Sequence, residues 1–334
     1  MRLAYFDCFS GVTGVMALGA LVHAGANLDD IADRLDRLPT IGFRLESETV
    51  EVGGIAATRV KVNALPQNVI LTYASIRTML EQADLPERAR WTAQRIFHRL
   101  AQAEASVRGT EPEVITFHES GEVDALVEVV GCALALDMLD IDRVYSSALP
   151  TGLGMVRTEH GVMPVPGPVV LELLRGVPTY SQGIPAELVN ATGAAILASV
   201  AEGYGDMPTM RSDVVGYGAG YQRIDLPNML RVVIGSAQLL SAVPDTASSS
   251  GETDVLIEAH LAERAARHPD ALLEEAFRAG AIEAWIIPIQ TRGGGSGGIL
   301  SMIAQSGEVE ATLRLARGKA DGGLVRVLPV RRSE

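Results

Sequence analysis

The chain opens with a buried strand joined to an apolar helix, and this unit limits the folds that the whole sequence can adopt. LAYFDC is typical of a buried strand, FSGVTG of a Gly-bearing turn, and VMALGALVHAG of a helix that Gly25 closes. A strand and a helix joined in this way must bury their apolar faces against further layers of structure. The first 25 residues therefore predict a domain that combines strands with helices.

Helices and strands continue to alternate along the chain. Asp84, Leu85 and Pro86 begin a helix whose apolar positions recur every three or four residues as far as Gly109. The other predicted elements are a hairpin joined at Gly53-Gly54, a mostly buried helix in GEVDALVEVVGCALALDML, a strand in RVYSSAL, two short strands around the His-Gly turn of GMVRTEHGVMPVP, helices in PVVLELLRG and NATGAAILASVAEGYG, and a strand in RVVIG. This alternation predicts the α/β class.

A polar segment divides the chain. Ser241–Thr253, SAVPDTASSSGET, has no hydrophobic period and is rich in Ser, Ala, Pro and Thr, which is typical of a linker. We therefore predict a large mixed α/β body over residues 1–240, a linker over 241–253 and a small α+β domain over 254–334.

Composition and charge exclude several classes of protein. Of the 334 residues, 47% are hydrophobic, and the net charge of −13 argues against a nucleic-acid partner or an anionic membrane surface. The chain lacks a signal-peptide pattern and any apolar run near ~20 residues, so we expect a cytoplasmic location. Cys8 and Cys132 lie far apart in apolar surroundings, and we expect both to be reduced thiols.

The segment FHESGEVD concentrates ligand-type side chains next to an apolar run. On a helix, His118 and Glu122 would share one face, and Glu119 could turn towards the same space. Imidazole and carboxylate groups are ligands for nickel, zinc or manganese. Acidic residues at a helix start also have a simpler explanation, since they favour the helix dipole without any metal. Both interpretations stay open, and His118 is the residue that capping does not require.

Other candidate binding residues lie at turns and helix starts. Asp7 ends the first strand, and Ser10 lies in the turn that follows it, where hydroxyl and backbone N–H groups suit an anion and a carboxylate suits a metal ion. A tight strand-to-helix connection explains the same small residues. In NATG, Thr192 is the predicted N-cap, and the start of this helix could also hold an anion. The remaining candidates for binding a substrate or an anion are Gly193 in the same motif, His160 at a turn, and Arg231 near the Gly-rich stretch GYGAG.

Together these motifs resemble, in order, those of the LarC family of nickel insertion proteins. The resemblance covers residues 1 to about 236 and is carried by DCFSGVTGVMALGAL, RIFHRLAQAEASVRGT, VITFHESGEVDAL, VYSSALPTGLGMVRTEHGVMPVPGPVVLELLRGVP, ATGAAIL, VGYGAG and LPNMLRVVIG. It implies that Ni²⁺ is inserted into the pyridinium-3,5-bisthiocarboxylic acid mononucleotide precursor of the nickel-pincer cofactor, in a cyclometallase reaction of the lyase class that hydrolyses CTP in the presence of Mn²⁺ or Mg²⁺. It also implies a ferredoxin-like C-terminal domain, which we expect to be shortened here, and a lactate racemase-type apoenzyme as recipient of the cofactor.

Within this resemblance we expect His118, Glu119 and Asp124 to bind the metal, and His118 or Glu119 to act as the catalytic base. Asp7 and His160 stand in matched motifs and, with Ser10, Thr192, Gly193 and Arg231, form the predicted substrate-binding set. The sequence leaves open whether the chain forms a homo-oligomer.

The sequence also departs from the family pattern. Val15 replaces a usual Asp, ALPQNVILTYASI lacks the usual His-rich run, and QTRGGGSGG keeps only Arg292 where two lysines are usual. These departures support an alternative, a divergent homologue that binds nickel or a nucleotide and has lost CTP-dependent catalysis. A metal-dependent hydrolase would need a site richer in His or carboxylate than these motifs provide.

Overall fold

The computed structural model describes residues 1–38, 42–65, 71–117, 122–158, 161–237, 254–261, 269–290, 296–305 and 309–330. The chain divides into two compact units, Met1–Gln238 and Leu239–Glu334. The predicted linker over 241–253 lies outside the described residues.

A seven-stranded sheet forms the centre of the first unit. Its strand order is β2-β3-β10-β11-β1-β4-β9, in which β1 runs parallel to β4 and antiparallel to β11. Two small sheets, β5-β8 and β6-β7, accompany it. The strands are β1 (Arg2–Asp7), β2 (Phe43–Val52), β3 (Ile55–Ala64), β4 (Arg143–Ser146), β5 (Leu149–Thr151), β6 (Met155–Thr158), β7 (Gly161–Pro164), β8 (Thr179–Ser181), β9 (Ala201–Tyr204), β10 (Met210–Ala219) and β11 (Met229–Ala237).

The helices of this unit supply most of its hydrophobic core. They are α1 (Gly14–His23), α2 (Leu28–Leu35), α3 (Tyr73–Gln82), α4 (Glu87–Arg108), α5 (Glu122–Met138), α6 (Pro168–Leu173) and α7 (Ala191–Val200). Helix α4 ends where Gly109 adopts a left-handed φ of 65°, as its glycine predicts. Helix α5 is buried over nearly all its described length, which agrees with its apolar sequence. No helix in the described ranges is both long and apolar enough to cross a membrane.

Helix α1 lies directly on the sheet because β10 carries glycines beneath it. A Cβ atom on Gly216 would be 2.1 Å from the carbonyl oxygen of Ala20, and one on Gly218 would be 1.9 Å from that of Met16. Residues without side chains at these two positions therefore allow the helix backbone to approach the strand. This contact fixes the start of α1 relative to β1 and β11.

One predicted helix is shorter than its sequence suggests. The prediction extended through NATGAAILASVAEGYG, but α7 ends at Val200 and Ala201–Tyr204 form strand β9. Ala201 turns into the extended region, and β9 pairs with β4. Pairing at the sheet edge thus outweighs the helix propensity of these residues.

The second unit has its own sheet and its own core. Its elements are β12 (Asp254–Leu261), α8 (Pro269–Arg278), β13 (Ala281–Gln290), β14 (Ser296–Ala304), α9 (Val309–Lys319) and β15 (Ala320–Val330). The strand order is β13-β14-β12-β15, and all neighbours are antiparallel. Both units combine helices with sheets, so the predicted mixed α/β class is confirmed.

Candidate metal and substrate site

The turn after β1 is closely packed and holds the start of α1. Gly11 has a positive φ of 101°, and a Cβ atom on it would lie 2.0 Å from the carbonyl oxygen of Leu188. Thr13 caps the helix, since its hydroxyl oxygen accepts a hydrogen bond from the Met16 N–H at 3.3 Å. The segment therefore has the geometry of a tight strand-to-helix connection.

Ser10, a predicted anion-binding residue, uses its hydroxyl inside the protein. The side chain is fully buried, and its Oγ donates a hydrogen bond to the carbonyl oxygen of Pro227 at 2.6 Å. An anion would need the same proton. The Ser10 hydroxyl therefore links the β1–α1 turn to the segment that precedes β11.

Asp7 and Arg231, predicted separately to bind substrate, lie opposite each other on β1 and β11 and form an ion pair. Arg231 Nε donates to Asp7 Oδ2 at 3.1 Å, and a second guanidinium nitrogen contacts the same oxygen. The hydrogen bonds that Arg231 donates to Asp7 are the main cause of the raised pKa of Arg231. The Arg231 side chain is 44% exposed and that of Asp7 18%. Arg231 can therefore still reach an anion, although Asp7 offsets part of its charge.

The start of α7 differs from its prediction in the residue that caps it. Asn190 is the N-cap, because its Oδ1 accepts the Gly193 N–H at 2.8 Å, whereas Thr192 lies inside the first turn. The prediction of Thr192 as N-cap was wrong, because the Asn190 side chain already reaches the N3 position. The same bond occupies the Gly193 N–H, and a Cβ atom on Gly193 would be 2.5 Å from the carbonyl oxygen of Val12. Gly193 thus allows α7 to pack closely against the β1–α1 turn.

Two carboxylates on α5 face this junction of α1 and α7. Asp124, a predicted metal ligand, and Glu128 are four residues apart, so they share one face of the helix. We call these two residues the α5 acid pair. Glu128 contacts the start of α1, since a Cβ atom on Gly14 would be 2.0 Å from its Oε2. Thr192 faces the same carboxylate and favours its charged form, although its hydroxyl reaches hydrogen-bonding geometry with no described group.

Burial makes both acids unusual. Glu128 is 7% exposed, and burial, helped by the charge of Asp124, raises its pKa to about 8. Burial also raises the pKa of Asp124. A carboxyl group with a pKa near neutrality can exchange a proton or exchange that proton for a metal ion.

Glu128 was absent from the residues predicted from sequence. Its signal is the spacing in VDALVEVVG, where two acids four residues apart interrupt an otherwise apolar helix. A charged residue in a buried helix is rare unless it has a partner or a function.

Three predicted residues, His118, Glu119 and His160, lie outside the described residues. The first two precede α5 in sequence, and His160 falls between β6 and β7. Within the described ranges, no group of three or more His, Cys, Asp or Glu side chains is placed to hold a metal ion. Of the predicted metal ligands, the structure therefore describes only Asp124, and Glu128 lies one turn further along the same helix.

Comparison with known proteins gives a consistent result. A protein-family model described as nickel insertion protein matches residues 4–333. The pyridinium-3,5-bisthiocarboxylic acid mononucleotide nickel insertion protein of Geobacillus kaustophilus is 36% identical over 322 residues, which cover 93% of this chain and 78% of that protein. A protein of Citrifermentans bemidjiense, named provisionally as a nickel insertion protein, is 37% identical over 99% of this chain and 85% of its own length. A protein of Synechococcus elongatus with the same provisional name is 40% identical over 91% of this chain and 77% of its own length.

Among solved structures, the C-terminal domain of a cyclometallase involved in the synthesis of the cofactor of lactate racemase is 18% identical. The match covers 25% of this chain and 57% of that chain, with a TM-score of 0.22. This score is too low to establish a shared fold.

Proposed function

The chain belongs to the nickel insertion protein family, and we propose that it inserts Ni²⁺ into pyridinium-3,5-bisthiocarboxylic acid mononucleotide to form the nickel-pincer cofactor. The relative from Geobacillus kaustophilus that carries this substrate in its name is 36% identical over 93% of the chain. Identity over such a length supports the same reaction in both proteins.

The observation that carries the proposal at the level of the site is the α5 acid pair. Glu128 is buried beside the starts of α1 and α7, and Asp124 is half-buried one turn earlier on the same helix. The predicted metal segment that contains His118 and Glu119 immediately precedes this helix in sequence. Carboxylates placed in this way can receive a divalent ion and later release it, since they bind nickel less firmly than sulfur ligands do.

The reaction requires a base as well as a metal ion. Two thiocarboxylate sulfurs of the substrate capture Ni²⁺, and the bond between a ring carbon and its hydrogen is replaced by a carbon–nickel bond while the proton passes to a base. We propose His118 or Glu119 as that base and His118, Glu119 and Asp124 as ligands of the incoming nickel. Nickel is thus a substrate that moves from oxygen and nitrogen ligands to sulfur and carbon.

Arg231 is our candidate for the phosphate of the mononucleotide. Its guanidinium is exposed and oriented by Asp7, which suits a charge-assisted contact with an anion. We propose that Ser10, Thr192 and Gly193 shape the substrate site beside Arg231 through their packing. We also propose that His160, which lies between β6 and β7 in sequence, contacts the substrate.

For the second unit we propose a ferredoxin-like domain that takes CTP with Mn²⁺ or Mg²⁺. The order β-α-β-β-α-β and the antiparallel sheet support this architecture. The altered segment QTRGGGSGG supports the alternative, a homologue that binds nickel without CTP-dependent catalysis. In the enzymatic case the product would pass to a lactate racemase-type apoenzyme.

One assay distinguishes these functions. The purified full chain is incubated with Ni²⁺, Mn²⁺, CTP and the thiolated precursor, and both the nickel complex and CMP are measured by chromatography. We expect both products. Stoichiometric nickel binding without either product would overturn the enzymatic proposal and support the binding homologue.

A further inference from the structure

Helix α5 carries a polar stripe through an apolar core. Asp124, Glu128 and Cys132 follow one another at intervals of four residues, so their side chains lie along one face. Cys132 Sγ lies 3.9 Å from the carbonyl oxygen of Gly14, which places this face against the start of α1. The neighbours of the stripe, such as Leu126, Val129 and Val130, belong to the hydrophobic core.

The α5 acid pair has no compensating cation among the residues that the structure describes. No described ion pair includes Asp124 or Glu128, and no basic side chain contributes to the pKa shift of either acid. A buried carboxylate without a partner is strongly disfavoured unless it takes up a proton or a cation. A proton or a cation bound at the stripe would therefore supply the positive charge that the described side chains do not provide.

Two buried oxygen atoms at this place also lack a partner. Thr192 is 1% exposed, and its Oγ1 makes no hydrogen bond with the described groups. The Oδ1 atom of Asp124 is likewise buried without a hydrogen bond. Unsatisfied buried polar atoms are rare in folded proteins and indicate a bound ion, water or ligand. Thr192 lies on α7, so the unsatisfied atoms come from two helices, and Thr192 faces the carboxylate of Glu128.

The donor atoms define the class of ligand. Two carboxylates and one hydroxyl provide oxygen donors, which suit Mn²⁺ or Mg²⁺ and can also bind Ni²⁺. Glu128 is nearly closed off from solvent, whereas Asp124 is half-buried, so an ion would enter past Asp124. The Sγ atom of Cys132 donates to the carbonyl oxygen of Gly14, so the thiol uses its proton in this contact. We therefore exclude Cys132 from the ligand set.

We propose that Glu128 and Thr192, together with Asp124, bind a divalent metal ion at the junction of α5, α1 and α7. This inference deepens the proposed function and rests on it for the identity of the ion, which is Ni²⁺, with Mn²⁺ as the alternative that the titrations below distinguish. It assigns Glu128 and Thr192 as metal ligands. The ion would lie at the closed end of the stripe, beyond Asp124.

Calorimetric titration of the full chain with NiCl₂, and separately with MnCl₂, tests the inference at a pH of about 8.5, where Glu128 is ionised. We expect Glu128→Gln to weaken the binding of one of these ions by about tenfold or more, and Thr192→Val to weaken the same ion by a smaller factor. Asp137→Asn removes an acid from the same helix outside the stripe, so this control should bind within about twofold of the wild type. The ion whose affinity falls in Glu128→Gln and Thr192→Val is the ion that this site binds.

Glu128→Gln and Thr192→Val each preserve side-chain volume, and circular dichroism shows whether each variant is folded. If Glu128→Gln failed to fold, Thr192→Val would decide, because it removes only a hydroxyl. Wild-type affinity for both ions in the folded variants, or no binding of either ion by the wild type, would overturn the inference. Product formation by the wild type is measured separately. Weakened binding without product would refute only the proposed function, and product with unchanged binding would refute only this site.

Discussion

At the residue scale, Glu128 links the stability of the protein to pH. Burial raises its pKa to about 8 from an ordinary value of 4.5, so the folded chain holds this proton more firmly than the unfolded chain does. The stability gained from the protonated form is complete below pH 4.5 and is lost as the pH rises through about 8. The loss is at most about 1.4 kcal/mol for each pH unit.

The variant Glu128→Gln should remove this pH dependence, because an amide does not titrate. In metal-free protein, we expect the free energy of unfolding in urea to fall less between pH 5.5 and 8 in the variant than in the wild type, by a difference of about 2 kcal/mol or more. Asp137→Asn serves as the control and should keep the wild-type slope. Equal slopes in wild type and Glu128→Gln would mean that Glu128 is ionised in the folded protein throughout this range.

A second prediction at this scale concerns the pair of Asp7 and Arg231. If Arg231 binds the substrate phosphate, Arg231→Gln should weaken binding of the pyridinium mononucleotide by about tenfold. Asp7→Asn removes the competing charge, so its affinity should equal or exceed that of the wild type. The pair is partly exposed, and each change should alter the free energy of unfolding by only about 1 kcal/mol or less. Titration calorimetry gives the affinities, and equal losses in both variants would argue that the pair has a structural role.

At the element scale, the cap of α7 provides a direct test. Asn190→Ala should lower the free energy of unfolding by about 1 kcal/mol, because the Gly193 N–H loses its acceptor. In metal-free protein, Thr192→Val should be neutral or stabilising, since it replaces an unpaired buried hydroxyl by a methyl group. Urea denaturation measures both changes. The reverse ranking would restore Thr192 as the cap that the sequence predicted.

The elements that could be predicted are those that local chemistry determines. Gly109 closes α4, and Gly53 and Gly54, both with positive φ, close the β2–β3 hairpin. The end of α7 could not be predicted, because Ala201 extends to pair with Val144 of β4, a partner that is distant in sequence. Local propensity carries no information about such a pairing.

In the candidate site, too, some features could be predicted from local sequence and others depend on contacts between distant segments. The sequence identified Asp7 and Arg231 separately, yet their ion pair depends on the register of β1 against β11, 224 positions away. Glu128 escaped prediction because its importance comes from burial, and its burial depends on Gly14 and Thr192 from other helices. A motif shows which residue types are present. Whether two charges that are distant in sequence neutralise each other can be seen only in the folded structure.

At the scale of the whole molecule, the two units should unfold separately. Each has its own hydrophobic core, so Leu300→Ala, at a fully buried position of the second unit, should destabilise that unit by about 2–5 kcal/mol. Differential scanning calorimetry of the full chain should show one transition that moves to lower temperature and one that stays unchanged. A single transition that moves as a whole would show that the units unfold cooperatively.

The presence of two separate cores also determines where this protein can change during evolution. The described core of the second unit is made by β12–β15 and their helices, whereas the described contacts of Glu128 come from α1 and α7 of the first unit. The departures in QTRGGGSGG can therefore accumulate while motifs of the first unit such as DCFSGVTG stay close to the family pattern. A descendant protein could therefore lose or change the function of its second unit through successive substitutions while its first unit stays functional.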